Sequence, residues 1–421
     1  MLLLGVACGG DGNGATDPQT ATPRPADEAG ATASPSPEPP TPKPEVLIVQ
    51  NGALIDGTGA NPVPNAYVII EGDRIASVGS GQPPAPPGAR IVDARGGTIL
   101  PGLSDSHVHV ARGIPAAGQP SIEQGGLLPW LREGITHLRD VATPPGAFPS
   151  VRIAADALTM NHEAPRIFWA GPMVTAPGGY PISVPRYRDV GQEVSGVEAA
   201  RALVNQLADG GARVIKLGLD KGYYSDEGWP LMSVEEVHAI AETAHARGLL
   251  VTAHVTSLDE VRLALDGGVD DLAHTPLETL PDDMIGEMLR KGTTMATTAS
   301  VWGDRGAGAR AAANARRYME SGGVVALATD FGCCGQTPGI QTLLAEMRFL
   351  IGFGGFTPMQ VLVAATRNGP IVSGIGDEAG TVEAGKIADL IVVNGEPLSN
   401  LEALTSVRLV IQGGRVVVEE P

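Results

Sequence analysis

The sequence predicts an α/β protein: a (β/α)8 TIM barrel with a small composite β-sandwich domain formed by both termini. Three observations predict it. Eight strand-like segments alternate with amphipathic helices over about 270 residues, the size and rhythm of such a barrel. Short strands bounded by turn residues occupy both ends of the folded part. Residues able to carry chemistry recur at the carboxyl ends of the central strands, which all meet at one mouth in a barrel. Alternation alone also fits a doubly wound sheet; the strand count favours the barrel.

Residues 1–44 stand apart. Met1 to Ala7 are almost all apolar and stop at Cys8, and from Gly9 to Pro44 there is no Val, Ile, Leu, Met, Phe, Trp or Tyr. Such a segment has no apolar surface to offset the entropy of ordering it, so it reads as a Pro-rich disordered tether. The stretch ending Gly5-Val6-Ala7-Cys8 resembles a bacterial lipoprotein signal with its lipidated cysteine. That resemblance implies an exported protein tethered through Cys8 to the outer face of a bacterial membrane.

From residue 45 the pattern becomes short strands: Val46–Val49, Ala53–Ile55, Ala66–Glu71, Arg74–Val78 and Arg90–Asp93, punctuated by Asn51-Gly52 and Gly72-Asp73. The end of the chain repeats this style in Leu390–Val393, Val407–Gln412 and Arg415–Val418, with Gly413-Gly414 as a hairpin turn. Residues 45–98 and 378–421 are therefore expected to form the sandwich and residues 99–377 the barrel. The barrel strands are Thr98–Pro101 leading to His109, then Thr136–Val141, Arg166–Val174, Arg213–Leu217, Leu249–His254, Val269–His274, Thr293–Thr298 and Val324–Asp330. Helices fall between several of them, including Val197–Ala208, Ser233–Arg247, Leu258–Asp266, Asp282–Lys291 and Ala311–Glu320; Ser233 and Glu236 have the form of a capping box.

Composition narrows the function. A net charge of −18 without a basic block argues against nucleic-acid binding. No apolar run reaches the ~18 residues of a spanning helix. Three cysteines make no disulfide framework, and Cys333-Cys334 read as small packing residues.

Eight histidines are present, and the informative ones end strands. His107 and His109 form His-Val-His, so with period two both side chains point the same way. Lys216 ends the fourth strand, His254 the fifth, His274 the sixth and Asp330 the eighth. Four imidazoles, a carboxylate and a lysine converging on one mouth suit zinc or a similar divalent ion with a position left for water. His238 and His245 lie on a solvated helix face, and His137 and His162 read as structural.

The chain resembles the amidohydrolase superfamily from about residue 46 to the end. Pro101-Gly102-Leu103-Ser104-Asp105-Ser106-His107-Val108-His109 is similar to its first-strand motif, and Gly380-Thr381-Val382-Glu383-Ala384-Gly385-Lys386-Ile387-Ala388-Asp389-Leu390 to its return into the sandwich. The resemblance implies two divalent metal ions, one held by His107, His109, Asp330 and Lys216, the other by Lys216, His254 and His274. It implies that CO2 carboxylates Lys216, because a carbamate anion bridges two cations and an ammonium does not. Imidazolonepropionase-type members share the layout but lack the lysine. Lysine together with a His274 only 20 positions after His254 resembles the branch of Xaa-Pro and Xaa-Arg dipeptidases and their carbamate- and amide-cleaving relatives. Many of that branch carry Gly-Gly-His after the third strand; this chain has Gly178-Gly179-Tyr180.

The expected enzyme is a hydrolase in which metal-acidified water attacks an amide carbonyl. Asp330 serves as base and then acid, and His274 or a nearby tyrosine helps hold the oxyanion. Tyr180, Arg186 and Arg188 after the third strand, with Tyr223 and Tyr224 after the fourth, are the candidate substrate contacts; arginine suits a free carboxylate. The leading substrate is a small molecule, a dipeptide or N-acyl amino acid. A cyclic amide, carbamate or ester cleaved in the same site stays open, as does a non-catalytic tethered binding protein on this scaffold. Oligomeric state is left open, a homo-oligomer included.

Overall fold

In the computed structural model the described residues are 45–420 apart from 114–125, 224–227, 304–305, 334–335 and 337. The expected leader, Cys8, the tether, Tyr224 and Cys334 lie outside them. Among the described residues no helix is long and apolar enough to cross a membrane.

Hydrogen bonds join both ends of the folded chain into one eight-stranded mixed sheet. Val46–Leu54 runs as one strand through register shifts at Gln50 and Gly52, where two separate strands were expected. It pairs antiparallel with Val63–Glu71 and parallel with Arg90–Asp93 and Thr98–Pro101. Thr98–Pro101 in turn pairs antiparallel with Leu390–Val393. A core of aliphatic side chains from both termini, among them Val49, Val68, Ile99, Leu390 and Ile411, packs in this part. The Gly413-Gly414 turn closes the hairpin of Val407–Gln412 and Arg415–Glu419 as expected.

The first expected barrel strand is divided. Thr98–Pro101 stays in the mixed sheet, and Leu103–Val108 enters a parallel three-stranded sheet with Ile135–Asp140 and Arg166–Trp169. Gly102 makes the crossing: a Cβ there would sit 2.1 Å from Thr136 Oγ1. The third expected strand also breaks, into Arg166–Trp169 and Met173–Thr175, because Gly171 takes φ +73° and Pro172 has no N–H to offer a ladder. Met173–Thr175 pairs parallel with Gly191–Glu193 and Val214–Gly218. The parallel order continues through Leu250–His254, Asp271–Leu272, Thr294–Ala296 and Val325–Ala326. Single hydrogen bonds link the two parallel sheets: Ser106 N to Leu327 O at 3.0 Å and Arg213 N to Trp169 O at 2.7 Å. Val108 also forms a parallel bridge with Phe331.

Helices flank these strands for local reasons. Val234–Ala246 starts at a capping box in which Ser233 Oγ accepts from Glu236 N and Glu236 Oε2 accepts from Ser233 N. Asp282–Lys291 starts on two acidic residues, ends on two basic ones, and stops at left-handed Gly292.

Arg139, in the strand Ile135–Asp140, is fully buried. Arg139 Nε donates to Ser106 O, Nη1 to Val372 O and Nη2 to Asp271 Oδ2, at 2.7–2.8 Å. Thr252 and Thr294 hydroxyls complete the Asp271 carboxylate. Arg139→Met should therefore cost about 3–5 kcal/mol in denaturant unfolding, since it leaves the Asp271 charge buried without its partner. A cost below about 1 kcal/mol would show that water or relaxation replaces the guanidinium.

Candidate metal-binding active site

The strand ends bring the predicted histidines into one continuous cluster. Ring centroids separate His107 from His109 by 5.2 Å, His107 from His274 by 4.5 Å, and His254 from His274 by 4.3 Å. Asp330 joins them, its Oδ1 lying 2.8 Å from His109 Nε2 and 3.3 Å from His107 Nε2. His107, His274 and Asp330 each offer a ligand atom, and these atoms lie within 4.8 Å of one another.

Partners behind the rings fix which nitrogens face inward. His107 Nδ1 contacts the carbonyl of Ala273 at 2.8 Å; a carbonyl only accepts, so Nδ1 carries the proton. Nε2 of the same ring then presents a lone pair. It is buried, has no hydrogen-bond partner, and faces the Asp330 carboxylate. Burial, reinforced by the charge of Lys216, holds His107 well below the usual imidazole range. Burial, then His254 and Lys216, does the same to His274, whose Nδ1 is 2.7 Å from Thr298 Oγ1. Lone pair against carboxylate, deep in the protein, is an arrangement that a cation satisfies.

Lys216 is fully buried, and its Nζ has no hydrogen-bond partner. Burial first, then the neighbouring Arg139, pushes its amine down to about 7. A neutral fraction of the amine is thus present at ordinary pH. Asp330 and Thr298, both at the site, adopt left-handed backbone with φ of 54° and 57°. Such conformations persist where surrounding structure enforces them, and they cluster at functional sites.

Three carboxylates escaped the sequence reading. Asp220 Oδ2 accepts from His254 Nε2 at 3.2 Å, while its Oδ1 accepts from the amides of Gly222 and Tyr223. Burial works against the charge of Asp220, but these bonds outweigh it and hold the carboxyl below its usual range. Asp105 accepts from Thr329 N and Oγ1 and from His107 N, tying the first strand to the residue before Asp330; burial raises it to about 7. Asp140, raised by burial to about 6, accepts from Ala111 N and Thr143 Oγ1 and anchors the turn after His109. Each lies in or beside an apolar strand, and only its partner in space reveals its role.

The cluster floors a cavity of about 370 Å³ whose lining includes Tyr180, Arg186 and Tyr223 of the expected substrate contacts. Arg188 is not in that lining; it begins the short Arg188–Val190 turn, whose buried residue is Val190. Trp229 and Trp302, which the sequence reading passed over, are part of it. So is Cys333, which is disulfide-bonded rather than a simple packing residue.

Comparison with known proteins gives a consistent picture. The sequence model of the Amidohydrolase family matches residues 98–417. Ochratoxinase of Aspergillus niger is 28% identical over 88% of this chain and 86% of its own. Imidazolonepropionase of Geobacillus sp. is 27% identical over 85% of this chain and 91% of its own. The crystal structure of a Xaa-Pro dipeptidase with methionine bound in its active site superposes with a TM-score of 0.75 at 25% identity, covering 89% of this chain and all of that one.

Proposed function

Because the chain belongs to the amidohydrolase family and is a hydrolase of carbon–nitrogen bonds, we propose that it is a metal-dependent enzyme cleaving the amide of a dipeptide or N-acyl amino acid. The observation that carries the metal is the buried Nε2 of His107, a lone pair without a hydrogen-bond partner facing the Asp330 carboxylate. In this reading His107, His109 and Asp330 would hold one divalent cation and His254 and His274 a second, with Lys216, once carboxylated, offering an anionic ligand to both; zinc suits this donor set. Carboxylation requires a neutral amine that attacks CO2 and loses a proton. An amine pushed down to about 7 supplies it at ordinary pH. The same reading joins the two parallel sheets into one closed (β/α)8 barrel, supported by the bonds from Ser106 to Leu327 and from Arg213 to Trp169. Residues 45–98 and 378–421 then form the accessory β-domain.

Divalent cations bound there supply Lewis-acid polarisation of the substrate carbonyl and acidify water. The chain supplies the rest. Asp330 Oδ1 faces the two imidazoles, which leaves Oδ2 to take the proton of the attacking water and return it to the leaving nitrogen. In this reading the Tyr180 hydroxyl donates to the developing oxyanion, supported by a ring that lies 4.2 Å from His254. Arg186, over the ring of Tyr187 at 4.5 Å, suits the free carboxylate of an amino-acid product.

Elemental analysis of protein expressed with bicarbonate tests the reading. About two divalent ions per chain are expected, the number such a bridged pair requires. Roughly one would leave Lys216 without its role. None after zinc addition would overturn metal dependence.

A further inference from the structure

Resting on the amide-hydrolase reading above, we propose that the substrate carries a planar aromatic group beside the scissile amide, and that Tyr180, Trp229 and Trp302 select it. Aromatic residues are scarce in this chain, with 4 Trp, 6 Tyr and 6 Phe among 421 residues. Yet two of the tryptophans and three of the tyrosines line the site cavity. Tyr223 and Trp302 rest on the large apolar core and Tyr180 on a small buried cluster with Met173 and Val190, so the core supports these rings from behind while they line the cavity.

Their arrangement is specific. Tyr180 lies 4.2 Å from His254 and nearly parallel to Trp229, at 5.8 Å and 19°. Tyr187 meets Tyr180 edge-on at 69°. On the side of the seventh strand, Trp302 stands edge-on to His274 at 6.1 Å and 82°. His254 and His274 are themselves 4.3 Å apart, so both aromatic surfaces begin at adjacent members of the cluster where the carbonyl reacts. Met173, Val184 and Val301 continue the apolar lining. A flat ring gains from offset-stacked and edge-on contacts here beyond its buried area, which an aliphatic group does not.

The test compares N-acetyl-L-phenylalanine with N-acetyl-L-alanine, and N-benzoylglycine with N-acetylglycine. In at least one pair the aromatic member is expected to be preferred by about tenfold or more in kcat/KM. Trp229→Ala should reduce that preference, and Trp229→Phe should restore most of it. Quenching of tryptophan fluorescence by the same four compounds, on metal-free protein, reads binding independently of turnover. Equal rates within both pairs overturn aromatic selection and leave the hydrolase reading intact. Quenching by the ring-bearing compounds with no amide cleaved overturns the hydrolase reading and supports aromatic selection. Neither cleavage nor quenching overturns both.

Discussion

Asp330→Asn is expected to lower kcat by about 10²–10⁴-fold, the range a positioned proton-transfer group contributes, without disturbing the fold. Two features make this substitution informative. Asp330 holds a left-handed backbone conformation, φ 54°, that asparagine adopts at least as readily, so strain is not the cause of any loss. Asparagine also keeps an oxygen toward His107 and His109 while removing the charge and the ability to take a proton. Steady-state kinetics on the variant should be paired with its metal content. Retained metal with lost turnover isolates the proton role; full activity would remove Asp330 from the mechanism.

The second large effect concerns Lys216. Replacement by methionine should abolish the bridge and reduce activity by about 10²-fold or more, because the cations contribute several kcal/mol of charge stabilisation. Bound metal should fall with it. Stability of the metal-free protein should move the other way or stay level. The Lys216 Nζ is buried without a hydrogen-bond partner, and an unsatisfied buried group costs about 1–3 kcal/mol, which methionine avoids at similar length. Denaturant midpoints of metal-free wild type and variant check this. A variant that is strongly destabilised without metal would mean that Lys216 has a structural partner instead.

What was legible in the sequence follows from how strands advertise themselves. His107, His109, Lys216, His254, His274 and Asp330 each end or follow an apolar run, so their convergence could be read from pattern alone, and His107, His274 and Asp330 do meet. Arg139 and Asp271 could not be read that way. Each is a charge inside or beside an apolar run, and only the ion pair between them makes both tolerable. Asp220 is similar, since its role depends on a histidine that arrives 34 residues later. The breaks at Gly102 and Gly171-Pro172 carried a local signal in glycine and proline, which continuous apolar runs obscured. Trp229 and Trp302 lie far apart in sequence on separate loops, and no periodicity links them.

The division at Gly102 has a consequence for how the chain is made. Thr98–Pro101 sits between Val46–Leu54 and Leu390–Val393, so one of its edges is covered only by residues from nearly the other end of the polypeptide. During synthesis the amino-terminal strands emerge first and wait, with an unpaired edge, while all the intervening strands and helices are translated. An open edge of this kind invites pairing with another chain. The strand that hands directly on to His107 is therefore among the last to gain its full set of neighbours, and nascent chains stalled before residue 390 should be the form most prone to aggregate.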